Sequence, residues 1–94
     1  MPHSHARVPT AHAARYMAQL AKHWSHKFDV ALEGERATFP LPMGICRMTA
    51  GEAALNIALE AEDPAAMARL KEVVANHVKR FAFREPDLAF DWAD

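Results

Sequence analysis

The chain has one cysteine, Cys46, and only three glycines and one tyrosine in 94 residues. A single thiol excludes an intrachain disulfide, and that composition points to a reducing cytoplasm. No apolar run nears the ~20 residues that cross a bilayer. The opening "MPHSHARV" has no apolar signal-peptide core, so neither a membrane span nor export is expected. Neither sign of charge prevails: 11 basic residues stand against 12 acidic ones, for a net charge of −1. The basic excess of a nucleic-acid binder is missing. No repeat, low-complexity tract or Gly-rich dinucleotide fingerprint appears.

What is present is an ordinary globular composition, 51% apolar and 24% charged. A chain this short forms one small domain and buries roughly 60–65% of its unfolded surface, which leaves a thin stability margin. In "HSHARV" Ser4, Ala6 and Val8 alternate with His3, His5 and Arg7, the period of a strand with one wet face. The small inner residues call for something packed closely over them. From Thr10 to His26 the period lengthens. Ala13, Met17, Leu20, Ala21 and Trp24 form a helical stripe behind Thr10 as N-cap, with His12, Arg15, Gln19, Lys22 and His26 opposite.

Four strands with short connections follow. Phe28, Val30 and Leu32 alternate, "EGE" turns the chain, and Ala37, Phe39 and Leu41 alternate back, which predicts a hairpin. The strand after "PMG" sets Ile45, Arg47 and Thr49 against Cys46 and Met48, and leaves its inner face open. Leu55, Ile57 and Leu59 mark the next. Asp63-Pro64 is a helix start, in which the acid accepts free amides and the proline gives up an unused donor. Met67, Leu70, Val73, Val74, Val78 and Phe81 make the core stripe of that helix. A final short strand is expected over 88–92, where Leu88, Phe90 and Trp92 alternate. The order β-α-β-β-β-β-α, with that last strand added, gives two amphipathic helices one apolar sheet face to cover. The expected fold is an α+β two-layer sandwich: an antiparallel four- to five-stranded sheet with both helices on one face.

Six histidines are the main chemical feature. In "HWSHKF" at 23–28, His23 and His26 are three apart and share a face if helical. Zinc or iron needs a third and usually a fourth ligand. His12 stands about 21 Å along a helix axis from His26, too far to share an ion with it. His77 on the second helix completes the candidate set His23, His26 and His77 if the helices are antiparallel. The competing reading has helix-end histidines capping carbonyls and complementing the dipole. An amino-terminal copper or nickel chelate through His3 is blocked, because Pro2 has no amide proton. Cys46 has no visible catalytic partner and reads as an apolar filler. In "KRFAFREP" at 79–86, Arg80 and Arg84 are candidate anion ligands facing Lys22 or His26, while Phe81 and Phe83 equally read as a plug on the core. Trp24 is a candidate wall for a planar ligand between helix and sheet.

"SHARVPTAHAARYMAQLAKHWSHKF" and "VVANHVKRFAFREPDLAFDW", above all Thr10 and the blocks "KHWSHKF" and "HVKRFAFREP", resemble a bacterial family known as domain of unknown function 2218. The resemblance covers essentially the whole chain and carries no established activity. A similar domain accompanies siderophore-interacting flavin reductases, which implies a role in iron acquisition without the reductase chemistry. The lead expectation is a non-enzymatic binding or accessory module, recognising a small anionic ligand or a partner protein. Two rivals remain. One is a small metal-dependent or His–carboxylate enzyme, with His23 or His77 beside Asp29, Glu85 or Asp87. The other is a homodimer paired through an edge strand at 4–8 or 88–92.

Overall fold

The computed structural model describes residues 2–94. The strand β1 (His3–Pro9) alternates as its sequence requires, with Ser4, Ala6 and Val8 buried and the odd positions exposed. Thr10 then turns the chain into helix α1 (Ala13–Trp24), which begins two residues later than a cap at Thr10 predicts. The reason is local. The Thr10 hydroxyl accepts from the backbone N–H of His12 at 3.1 Å and so holds a turn outside the helix, whose N-cap residue, His12, makes no side-chain cap.

A meander follows: β2 (Ala31–Glu33), β3 (Arg36–Leu41), β4 (Gly44–Ala50) and β5 (Ala54–Glu60). Gly34 sits at φ +58° in the β2–β3 turn, a conformation open to glycine and costly to side chains. Gly44 is fixed by crowding, since a Cβ there would lie 2.2 Å from the Glu60 carbonyl oxygen. In β4 it is Cys46, Met48 and Ala50 that face inward, which closes the open question of its inner face. Helix α2 (Pro64–Phe81) starts as expected, with the Asp63 carboxylate accepting from the Ala66 amide at 2.8 Å and Pro64 in its first turn.

All strand pairs are antiparallel, in the order β1-β5-β4-β3-β2. Both helices cover one face, where Val8, Leu20, Phe39, Leu55, Leu70, Val74 and Val78 are fully buried, each side chain contributing about 1.5–3 kcal/mol. This is the expected α+β sandwich with five strands. The helices pack on β3, β4 and β5. β2 therefore lies at the margin of the helix layer: it shrinks to three exposed residues, and Leu32 stays half exposed instead of joining the core.

The final strand expected at 88–92 does not form. The segment meets β1 at a single bridge, His5 with Ala93. Leu88, Phe90 and Trp92 do alternate toward the core, but they settle as partly buried packing against its rim. Phe90 lies 6.2 Å from Trp92 and under the Lys79 ammonium. Dimerisation through 88–92 therefore has no strand to use.

Candidate functional site

The helices lie antiparallel where they meet, so the end of α1 faces the last third of α2. His23 and His77 approach to 5.4 Å between ring centroids, and His23 also meets Phe81 at 5.8 Å. Trp24 packs its ring 5.0 Å from His77 on one side and 5.0 Å from Phe39 on the other, edge-on to the phenyl. Beyond these rings opens a cleft of about 410 Å³. Its walls come from three places: the end of α1 and the turn after it, the β3–β4 turn with Pro42 and Met43, and Val73 and His77 of α2. The lining is mainly apolar, and its polar groups are the three imidazoles and Lys27.

The tautomer of His77 follows from its neighbour. His77 Nδ1 lies 2.7 Å from the Val73 carbonyl oxygen. A carbonyl only accepts, so Nδ1 carries the proton and the neutral ring keeps its Nε2 lone pair free. The pKa of His23 is held below the ordinary imidazole value of 6.5, first by partial burial and then by the charges of His77, Arg80, Lys27 and His26. His23 is therefore neutral at pH 7 although its ring is largely exposed.

The three-histidine ion site anticipated from spacing is not assembled. His26 lines the same cleft, but the regular helix ends at Trp24 and His26 sits in the following turn. Among the described residues no three His, Cys, Asp or Glu side chains come together to hold an ion. Two adjacent imidazoles fall short of the three or four ligands zinc takes, and of the mixed His–carboxylate set of non-haem iron sites. The group does not fit a resident metal.

The two arginines part company. Arg80, exposed in the last turn of α2, is close enough for its charge to act on His23. Arg84 lies past the helix with its guanidinium over Phe83, and lines a separate depression beside Pro9 and Asp87. Cys46 is wholly buried, and burial pushes its thiol far up.

A second polar cluster escaped the sequence reading. One oxygen of the Glu85 carboxylate accepts from the Thr10 hydroxyl at 2.7 Å and also from the Tyr16 phenol. These two bonds hold Glu85 below the usual carboxylate range, while burial, then Glu85 itself, raises Tyr16 above 10.0. Tyr16 lies on the buried stripe of α1. A phenol on an apolar stripe calls for an acceptor, and that was the available signal. Its partner, 69 residues away, was not readable. No acidic residue lines the histidine cleft, so the His–carboxylate pair required by the enzymatic alternative is not formed there, and Glu85 belongs to this knot instead.

The NMR structure of PA4090 from Pseudomonas aeruginosa is similar to this chain at 35% identity and a TM-score of 0.83, over 99% of this chain and 96% of that one. No match was found among curated proteins. A family model described as an uncharacterised protein conserved in bacteria matches residues 5–93. The sandwich, its blocks "KHWSHKF" and "HVKRFAFREP" meeting across the helix pair, and that match over nearly the full length lead to one conclusion: the chain belongs to the bacterial family DUF2218.

Proposed function

We propose that the chain is a non-enzymatic binding or accessory module whose cleft takes a small planar organic anion. One observation carries this reading: an apolar cleft of about 410 Å³ is bounded by Trp24 and by the adjacent His23 and His77. Mostly apolar walls with a few convergent polar groups are the usual build of a small-ligand site. The apolar walls of Phe28, Leu41, Met43 and Val73 suit a flat ring, with the buried Trp24 forming the floor behind them. Nε2 of His77, unprotonated in the neutral ring, can take up a proton with the ligand and then donate to its carboxylate or phenolate beside the His23 imidazole, with Lys27 and Arg80 adding positive potential. The lining carries no acid to repel an anion or to act as a base. The resemblance to domains that accompany siderophore-interacting reductases favours, as ligand, an aromatic hydroxy acid of the kind that chelates ferric iron, with the metal, when present, arriving as cargo.

An anion beside a neutral imidazole favours its protonation, so binding takes up a proton and weakens as pH rises through the histidine range. The test is titration with salicylate, read from backbone amide shifts at about pH 6 and about pH 8. Saturable shifts at His23, Trp24 and Val73, tighter at the lower pH and at least tenfold weaker in His77→Ala, are expected. Shifts that avoid these residues, or that ignore the substitution, would overturn the reading.

A further inference from the structure

The face of the sheet opposite the helices has no cover, and its strands carry an unusual set of charges. Every cationic Lys or Arg side chain in a strand is an arginine: Arg7 in β1, Arg36 in β3 and Arg47 in β4. All four lysines lie on the helices or in the turn after α1. The register puts the three arginines on the same outer face. Arg7 pairs with Asn56, Asn56 with Thr49, and Thr49 with Arg36, so these four form one row across β1, β5, β4 and β3. The next row runs His5, Ala58, Arg47, Thr38. Three strand spacings separate Arg7 from Arg36 by about 14 Å, a span that two arginine side chains can close over the small polar floor between them.

Arg36 and Arg47 are diagonal neighbours, about 7–8 Å apart at Cα, and the Arg36 row ends in Glu33 of β2, which stands directly across from Arg36. Arg47 is oriented by Glu60, whose carboxylate accepts from it at 2.8 Å, yet about half of its side chain stays exposed. Neither Arg7 nor Arg36 enters an ion pair among the described residues. A shallow depression of about 510 Å³ lies over this floor.

We infer that this open face is a second binding site, for a small molecule carrying a diphosphate group. Three planar guanidiniums match phosphate oxygens in paired hydrogen bonds, a geometry that lysine does not reproduce. Threonine and asparagine side chains on the floor donate further bonds. The depression is lined by no Phe, Tyr or Trp, and its single ring is the His5 imidazole at one edge, which disfavours a single-stranded nucleic acid as occupant. The site is independent of the histidine cleft, on the other side of the sheet.

Inorganic pyrophosphate titrated into the full chain at constant ionic strength tests this, with amide shifts as readout and sodium chloride as control. Saturable shifts at Thr38, Arg47, Thr49 and Asn56 are expected. They should weaken at least tenfold in the Arg7→Gln, Arg36→Gln double variant, and by a comparable factor in Arg36→Lys, which keeps the charge and loses the fork. The lysine variant also guards against a fold effect. Absence of saturation at millimolar pyrophosphate, equal shifts with chloride, full affinity in Arg36→Lys, or shifts confined to the histidine cleft would each overturn the inference. Tighter binding of a short RNA to the same residues would overturn the small-molecule assignment.

Discussion

Two polar clusters join the same pair of segments, and they are built in opposite ways. At the start of α1, Thr10, Tyr16 and Glu85 direct their hydrogen bonds at one another. At its end, His23 and His77 stand ring against ring and leave nitrogen positions turned to a cavity. The first cluster ties the segment after α2 to α1 and the end of β1. The second holds groups that no internal partner has claimed. A closed knot of this type contributes to stability, whereas an open pair of this type contributes little and is available for a ligand.

The largest test of that contrast is Phe39→Ala. Phe39 is fully buried beneath Trp24, so its loss removes the support of the cleft and should cost about 3–5 kcal/mol, read from urea unfolding. Trp24 should lose its fixed position, with the Thr10–Tyr16–Glu85 knot left in place. A loss under ~1 kcal/mol would mean that Trp24 is held by the histidines instead.

Glu85→Ala comes next. It strands the buried phenol of Tyr16 and should cost about 1–3 kcal/mol, while Tyr16→Phe, which removes the stranded donor, should cost only about 1 kcal/mol. The ordering of the two, measured by chemical denaturation, is the informative result. Equal losses would show that the hydroxyl carries the whole effect. His77→Ala should fall below both, because its ring is only half buried and its one internal bond, to Val73, is local.

The smallest effects lie in the pH dependence, and their pH windows separate the clusters. Glu85 is depressed in the folded state, so its contribution is full above the unfolded value of 4.5 and is lost as pH falls through the folded one. Tyr16 is raised, so its contribution holds below 10.0 and is lost as pH climbs through its folded value. His23 is depressed, and its neutral form favours folding above 6.5. Acidification below that point should destabilise the native protein before Glu85 begins to protonate. In His23→Ala the first acid phase should vanish and the second remain, as followed by thermal melting across pH.

The outline of the sandwich was visible in alternation and helical periodicity, because both arise from burial of one face of an element. The Asp63-Pro64 start of α2 was visible for a similar reason: the cap and the missing donor act within one turn. Two boundaries were not. Thr10 is a good capping residue by type, but Glu85 and the His12 amide engage its hydroxyl, and the helix starts later. Residues 88–92 alternate as a strand does, yet alternation records only which side is buried. Whether the backbone finds a ladder partner depends on what lies beside it, and β1 offers a single bridge.

The candidate site divides along the same line. "HWSHKF" and His77 could be picked out, and their meeting followed from antiparallel helices. That no three-ligand set forms around them among the described residues could not be read from their spacing. The knot and the arginine face depended wholly on partners distant in the chain. The sequence by itself determined the order of the seven elements, the core faces of β1, β3, β5 and the two helices, and the chemistry available at the surface, since these follow from residue type and local period. Only the tertiary structure decided which polar groups meet. Hydrogen bonds and charge rows join residues 69 positions apart or on strands that are not consecutive, and no local pattern encodes those distances.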